Sequence, residues 1–282
     1  MSRSTLHFEP PIFPGLQHGI DDAGTTHLLM VSLATPTIRL QTVLSSCAGV
    51  ECNSVNHWRK DLTSNCQPPY PFEPVEAMLA RYQVQGAVAV INTDYFGPDG
   101  DHGAQGLAVR NGVRLDGLLH GVHNQLATLL PSLAFSVTNQ PTLGIPESNQ
   151  TIDNELLTTY YNTVGGWPLL VQNHEVVNLP CTSDRSGYDP AICDHPCRSA
   201  AGITADGRLI LVTAQKNAHA MARYLVENFQ VCSALSFDGG RSSSMAWVDE
   251  QEQIQSFRPL PGRDGVAQGL LVFSEWIHGE IS

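Results

Sequence analysis

Arg198–Ser244 reads RSAAGITADGRLILVTAQKNAHAMARYLVENFQVCSALSFDGGRSSS, and its punctuation decides the fold class. Ala200–Thr204 and Leu209–Thr213 are apolar and rich in β-branched residues, and the turn Ala205-Asp206-Gly207 between them marks a hairpin. Asn217 can cap a helix reaching Phe229, in which Met221, Leu225 and Phe229 recur every four residues and share one face. Val231–Phe237 returns as a strand and runs into Asp238-Gly239-Gly240-Arg241-Ser242-Ser243-Ser244.

Outward from that stretch the pattern repeats. Thr26–Leu33 and Thr37–Leu44 read as strands around Pro36, and the Pro68–Pro74 bend precedes a helix from Val75 to about Gln83. Gly86 opens the apolar run Ala87–Ile91, a buried strand that ends in the polar loop Asn92–Gly106. Leu107–Arg110 with the Asn111-Gly112 turn, and Thr163–Val171 with its glycines and Pro168, add further strand segments. Strands outnumber helices, and hairpins outnumber crossovers. The expected class is therefore α+β, with mixed or largely antiparallel twisted sheets flanked by a few helices. No repeat or low-complexity linker divides the chain, so a single domain over residues 1–282 is expected, its core running from about Thr26 to Phe273.

The 282 residues carry 15 Lys+Arg against 27 Asp+Glu, a net charge of −12. That balance argues against a phosphate-backbone surface for nucleic acid and against binding to an anionic membrane. No run reaches the length of a membrane span. Met1–Gly19 contains no signal-peptide core, so the expected location is cytoplasmic unless the chain is a processed form. The seven cysteines pull the other way, falling into Cys47/Cys52/Cys66 and Cys181/Cys193/Cys197, with Cys232 alone. The Cys-rich stretch 181–197 reads as an insertion; its Cys-x-His-x-Cys spacing around His195 matches no standard zinc signature, which favours a disulfide or free thiols.

Three places could carry chemistry. Asp238 stands at the mouth of a buried strand, and the N–H groups of Gly239 and Gly240 with the hydroxyls of Ser242 and Ser243 could cradle a phosphate; the plainer alternative is a Gly-Gly turn with solvated serines. Asn92 and Asp94 also end a buried strand and, two residues apart, would share a side. They could orient a sugar hydroxyl, do acid–base work, hold a divalent cation, or simply form an Asx turn. Arg198 opens an apolar strand in a chain with few cations, as a bidentate partner for phosphate or for a structural carboxylate would. His102, the pair His120/His123 and the Asn149 sequon carry weaker signals, and Ser242 lacks a nucleophile elbow.

Five blocks then occur in order: Asn92–Phe96, Gly106–Gly112, Gly165–Val171, Arg198–Gly207 and Asp238–Ser243, with Gly265–Phe273 as a closing strand. The series resembles the phosphodiester glycosidase family across nearly the whole chain. The resemblance implies a hydrolase that cleaves the glycosidic C–O bond of a sugar-1-phosphodiester, releasing sugar and a phosphate monoester. It implies that Asp238, Asp94 and Asn92 act at the sugar and that Arg198, Gly239, Gly240, Ser242 and Ser243 hold the phosphate; Arg241 and Gly166 join them as substrate-binding candidates of this chain. No cofactor is required on that reading, although a divalent cation stays open. Arg241 and Asp94 depart from the family pattern, which favours a small residue and glycine there; Arg241 could meet a second phosphate or pair with Asp94. Ala214-Gln215-Lys216 replaces an acidic position the family often shows. Two other readings stand beside it: a metal-assisted phosphodiesterase on a nucleotide-like substrate, and a non-catalytic sugar-phosphate-binding module.

Overall fold

A computed structural model describes residues 5–47, 50–51, 72–95, 107–114, 131–144, 159–177, 193–261 and 265–275. The readings placed on Cys52, Cys66, His102, His120, His123, Asn149 and Cys181 fall outside these residues. The hairpin forms as expected: Arg198–Thr204 pairs antiparallel with Arg208–Ala214, Ala201 opposite Leu211 and Ile203 opposite Leu209. Side chains alternate across this pair, so each strand feeds two cores. Ala201, Ile203, Leu209 and Leu211 enter one apolar cluster; Ala200, Ile210 and Val212 enter another.

These strands lie inside an eight-stranded sheet. Its order is Leu6–Phe8, Leu16–Asp21, Thr26–Ser32, Arg208–Ala214, Arg198–Thr204, Val231–Gly239, Leu169–Gln172 and Glu175–Val176. A second sheet runs Ile254–Phe257, Met245–Val248, Ala87–Asn92, Gln268–Phe273 and Arg39–Leu44. A third contains Pro141–Gly144, Ser132–Phe135, Asn162–Gly165, Val109–Arg110 and Val113–Arg114. Every ladder among the described residues is antiparallel, so of the two expected alternatives the mixed sheet does not occur there. The segment around Pro36 does more than separate two strands. Successive turns, Thr35 N–H to Ser32 O and Ile38 N–H to Thr35 O, carry the chain from the eight-stranded sheet into the second one.

The main core joins the sheets. Leu29, Val31, Leu235 and Phe237 of the first cluster with Leu40, Val88, Leu270 and Val272 of the second, and Leu133 and Val164 come from the third. The helix Val75–Gln83 adds Val75, Met78 and Leu79 to the same core. The helix Ala218–Phe229 covers the other face of the large sheet. Asn217 Oδ1 accepts from Ala220 N at 2.9 Å, the expected cap, and Ala218, Met221, Ala222 and Leu225 are buried. Phe229 reaches only the margin of that face, edge-on to Tyr224 with centroids 5.8 Å apart. No helix of the described residues is long and apolar enough to cross a membrane.

Candidate active site

The strands Ala87–Asn92 and Val231–Gly239 belong to different sheets, yet their C-terminal ends are stitched together. Asp238 N donates to Thr93 O at 2.8 Å, and Asn92 Nδ2 donates to Asp238 O at 3.0 Å. Asn92 Oδ1 accepts from Ser244 N at 2.9 Å, and Asn92 N donates to Ser244 O. The Asn92 amide thus clasps both ends of the loop 239–243. It is 1% exposed, and its amide is spent on backbone partners.

Arg198 sits beneath this junction with no solvent exposure. Its Nη1 donates to Tyr95 Oη and to Ser236 Oγ, both at 2.9 Å. So enclosed, the guanidinium braces the strand end from below, and the expected phosphate contact is not among its hydrogen bonds here. Tyr95 Oη in turn donates to Trp167 O at 2.9 Å. Burial pushes this phenol up to about 12, with Arg198 lowering and Asp238 raising it, so it stays protonated and keeps donating.

Asp94 is buried and its Oδ1 accepts from Tyr95 N at 2.8 Å. Asp238 is the less enclosed of the two aspartates, at 9% exposure against 2%. Its Oδ1 accepts from Gly239 N at 2.8 Å, which fixes the carboxylate at the strand mouth.

The expected phosphate nest does not form. The Gly239 amide is taken by Asp238, and Gly240 N donates to Cys197 O at 2.9 Å. Gly240 adopts φ +61°, and this left-handed residue turns the chain into the short 3₁₀ turn Gly240–Ser242. Ser242 and Ser243 are buried, and the Ser243 hydroxyl has no hydrogen-bond partner. Arg241 alone in this turn is exposed. It makes no ion pair among the described residues, so the pairing with Asp94 does not occur.

Gly166 is also a packing residue and not a ligand contact. A Cβ there would fall 2.4 Å from Ser236 O, and its N–H donates to Pro131 O. Sequence reasoning gave no role to two members of the base, Tyr95 and Ser236, and read His195 only as part of a Cys-rich stretch. Tyr95 stands inside the Asn92–Phe96 block, and Ser236 lies two residues before Asp238, where a bulge interrupts the strand's alternation. His195 lines the Gly240 turn, its Nδ1 3.2 Å from where a Gly240 Cβ would stand. The Cys-rich stretch ends here: Cys193 is disulfide-bonded, and Cys197 is free. No group of three or more His, Cys, Asp or Glu among the described residues is placed to hold a metal ion.

The family model for phosphodiester glycosidases matches residues 85–273, more than half of the chain and inclusive of every residue of this junction. The chain belongs to the phosphodiester glycosidase family. This family member shares its fold with the catalytic domain of zebrafish N-acetylglucosamine-1-phosphodiester alpha-N-acetylglucosaminidase, solved auto-inhibited by its pro-peptide. The TM-score is 0.63 at 15% identity, covering 97% of this chain and 83% of that one. A hypothetical protein from Synechocystis gives a TM-score of 0.63 at 14% identity over 95% of this chain. The family member spans 64% of that protein's length. At such identities the likeness speaks for the fold. No curated protein matches the chain by sequence.

Proposed function

We propose that this family member hydrolyses the bond between a sugar's anomeric carbon and the oxygen of a phosphodiester. Water adds to the anomeric carbon, the C–O bond breaks, and the phosphate leaves as a monoester that keeps the bridging oxygen. The observation that carries this reading is the pairing of Asp238 with Arg241 on one turn: a carboxylate fixed at a strand mouth, with an exposed, unpaired guanidinium three residues on. Asp238 takes the proton from the attacking water, and Arg241 meets the phosphate charge. Phosphate is a fair leaving group and needs little protonation. The buried base of Arg198, Tyr95 and Ser236 holds the strand end rigid beneath them.

The test is hydrolysis of a panel of hexose-1-phosphodiesters and nucleotide sugars in ¹⁸O water, with and without EDTA. Label is expected in the released sugar. Label in the phosphate, with activity lost to EDTA, would instead establish the metal-assisted phosphodiesterase. Asp238→Asn is expected to lower kcat by about 10²–10⁴-fold with the fold intact, and near-wild-type turnover would remove the aspartate from the reaction.

A nucleotide sugar would offer Arg241 two phosphates to meet where a simple diester offers one. Arg241→Gly is then expected to raise KM for nucleotide sugars more than for simple sugar-phosphate diesters. An unchanged ratio of the two would take that second contact away.

A further inference from the structure

A separate cavity of about 500 Å³ opens at the margin of the sandwich. Its walls come from Leu16–Asp21 and Thr26–Ser32 of the large sheet and from Met245–Val248 and Ile254–Phe257 of the second. None of the residues of the Asp238 junction lines it.

One wall is a relay. Glu9 Oε2 lies 2.8 Å from His18 Nδ1, and His18 Nε2 lies 3.1 Å from His27 Nδ1. Burial lowers the pKa of both rings, that of His27 to about 4 with help from the His18 charge, so both are neutral near pH 7. Each neutral imidazole has one N–H, and the Glu9 carboxylate only accepts. His18 therefore donates through Nδ1, accepts at Nε2 from His27, and leaves the His27 Nε2 lone pair without a hydrogen bond among the described residues.

The rest of the lining has the same polarity. Asp249 and Glu250 add two more carboxylates, and neither Lys nor Arg lines the cavity. The glutamine amides that could serve as donors are turned on those acids: Gln255 Nε2 to Asp249 at 2.6 Å and Gln251 Nε2 to Glu250 at 2.7 Å. The aromatic faces are occupied as well. His18 stacks on Trp247 and His27 on Phe257, each with centroids 4.1 Å apart, so each ring gives one face to a neighbour. Pro10, Ile12 and Leu16 supply apolar wall.

Acceptors in excess of donors, negative charge without Lys or Arg, and an apolar side describe one kind of ligand. We propose that this cavity binds a small organic cation, an ammonium or guanidinium group on an apolar stem. The charged head meets the Glu9, Asp249 and Glu250 carboxylates and the His27 lone pair, and the stem lies on the apolar wall.

The test is calorimetric titration of the full chain with phenethylamine near neutral pH and low salt, with 2-phenylethanol as the uncharged isostere. Saturable binding of the amine is expected, at least about tenfold weaker for the alcohol and for the double variant Glu9→Gln/Glu250→Gln. Both glutamates are exposed, so this variant folds and keeps its hydrolytic activity. Binding in Asp238→Asn is expected to equal wild type. No saturable heat up to about 20 mM amine, equal affinity for amine and alcohol, or undiminished binding in the double variant would overturn the proposal. Loss of binding in Asp238→Asn would do so too, by placing the amine in the hydrolytic site.

Discussion

At Asn92, both ends of one amide group are engaged by backbone, and a residue that looks suited to acid–base work serves to hold a loop closed. Arg198 tells the same story with a charge. The sequence singles out both positions, because a polar side chain beside an apolar strand demands a reason. It does not reveal their roles, since those depend on which atoms remain open to solvent. Ser236 stands beyond a bulge that breaks the alternation from Asp238, so neither it nor the Tyr95 hydroxyl could be placed before the strand ends were brought together. Gly166 offers the sharpest check at this scale. Its absent Cβ leaves room for Ser236 O, so Gly166→Ala should push the Asp238 strand aside. The expected cost is about 1–3 kcal/mol in denaturant unfolding, with kcat reduced as well. A variant as stable and active as wild type would mean that the strand has slack there.

Elements were the most legible level. The hairpin, both helices and the strand into Asp238 stand within a residue or two of their expected ends, because caps, turns and alternation are local signals. Thr163–Val171 was less legible: it divides into Asn162–Gly165 and Leu169–Gln172, which join different sheets. Glycine and proline announce a break but not where the next strand goes. The short segment 193–197 has consequences beyond its size. It enters the strand that begins at Arg198, its Cys197 carbonyl receives the Gly240 amide, and the Cys193 disulfide anchors its start. Reduction under native conditions should therefore lower thermal stability by about 2–4 kcal/mol and slow turnover. Identical melting curves with and without a phosphine reductant would show that the segment holds without its bridge.

Across the whole molecule, sheet membership was hidden from sequence. The histidine–aromatic cluster joins residues 18, 27, 247 and 257, which no local pattern relates. That cluster also sets an acid limit on the fold. His27 is held at about 4 by burial and by His18, against the opposing pull of Asp21 and Glu9. A folded pKa below the unfolded one means that the unfolded chain binds the extra proton. The stabilisation is whole above about pH 6.5 and is lost as pH falls towards 4. Allowing for solvent screening at a part-exposed ring, the loss is on the order of 1–2 kcal/mol. Chemical denaturation at a series of pH values should show this decline, and His27→Gln should flatten it. An equally steep decline in that variant would assign the acid sensitivity to other groups.

The hydrogen bond from Asp238 to Thr93 spans two sheets, so neither sheet alone fixes the position of this carboxylate. Only the assembled sandwich displays it, and an excised half is expected to show none of the proposed hydrolysis. Turnover then works as a census: in a partly denatured sample, the surviving rate counts intact molecules and not weakened ones.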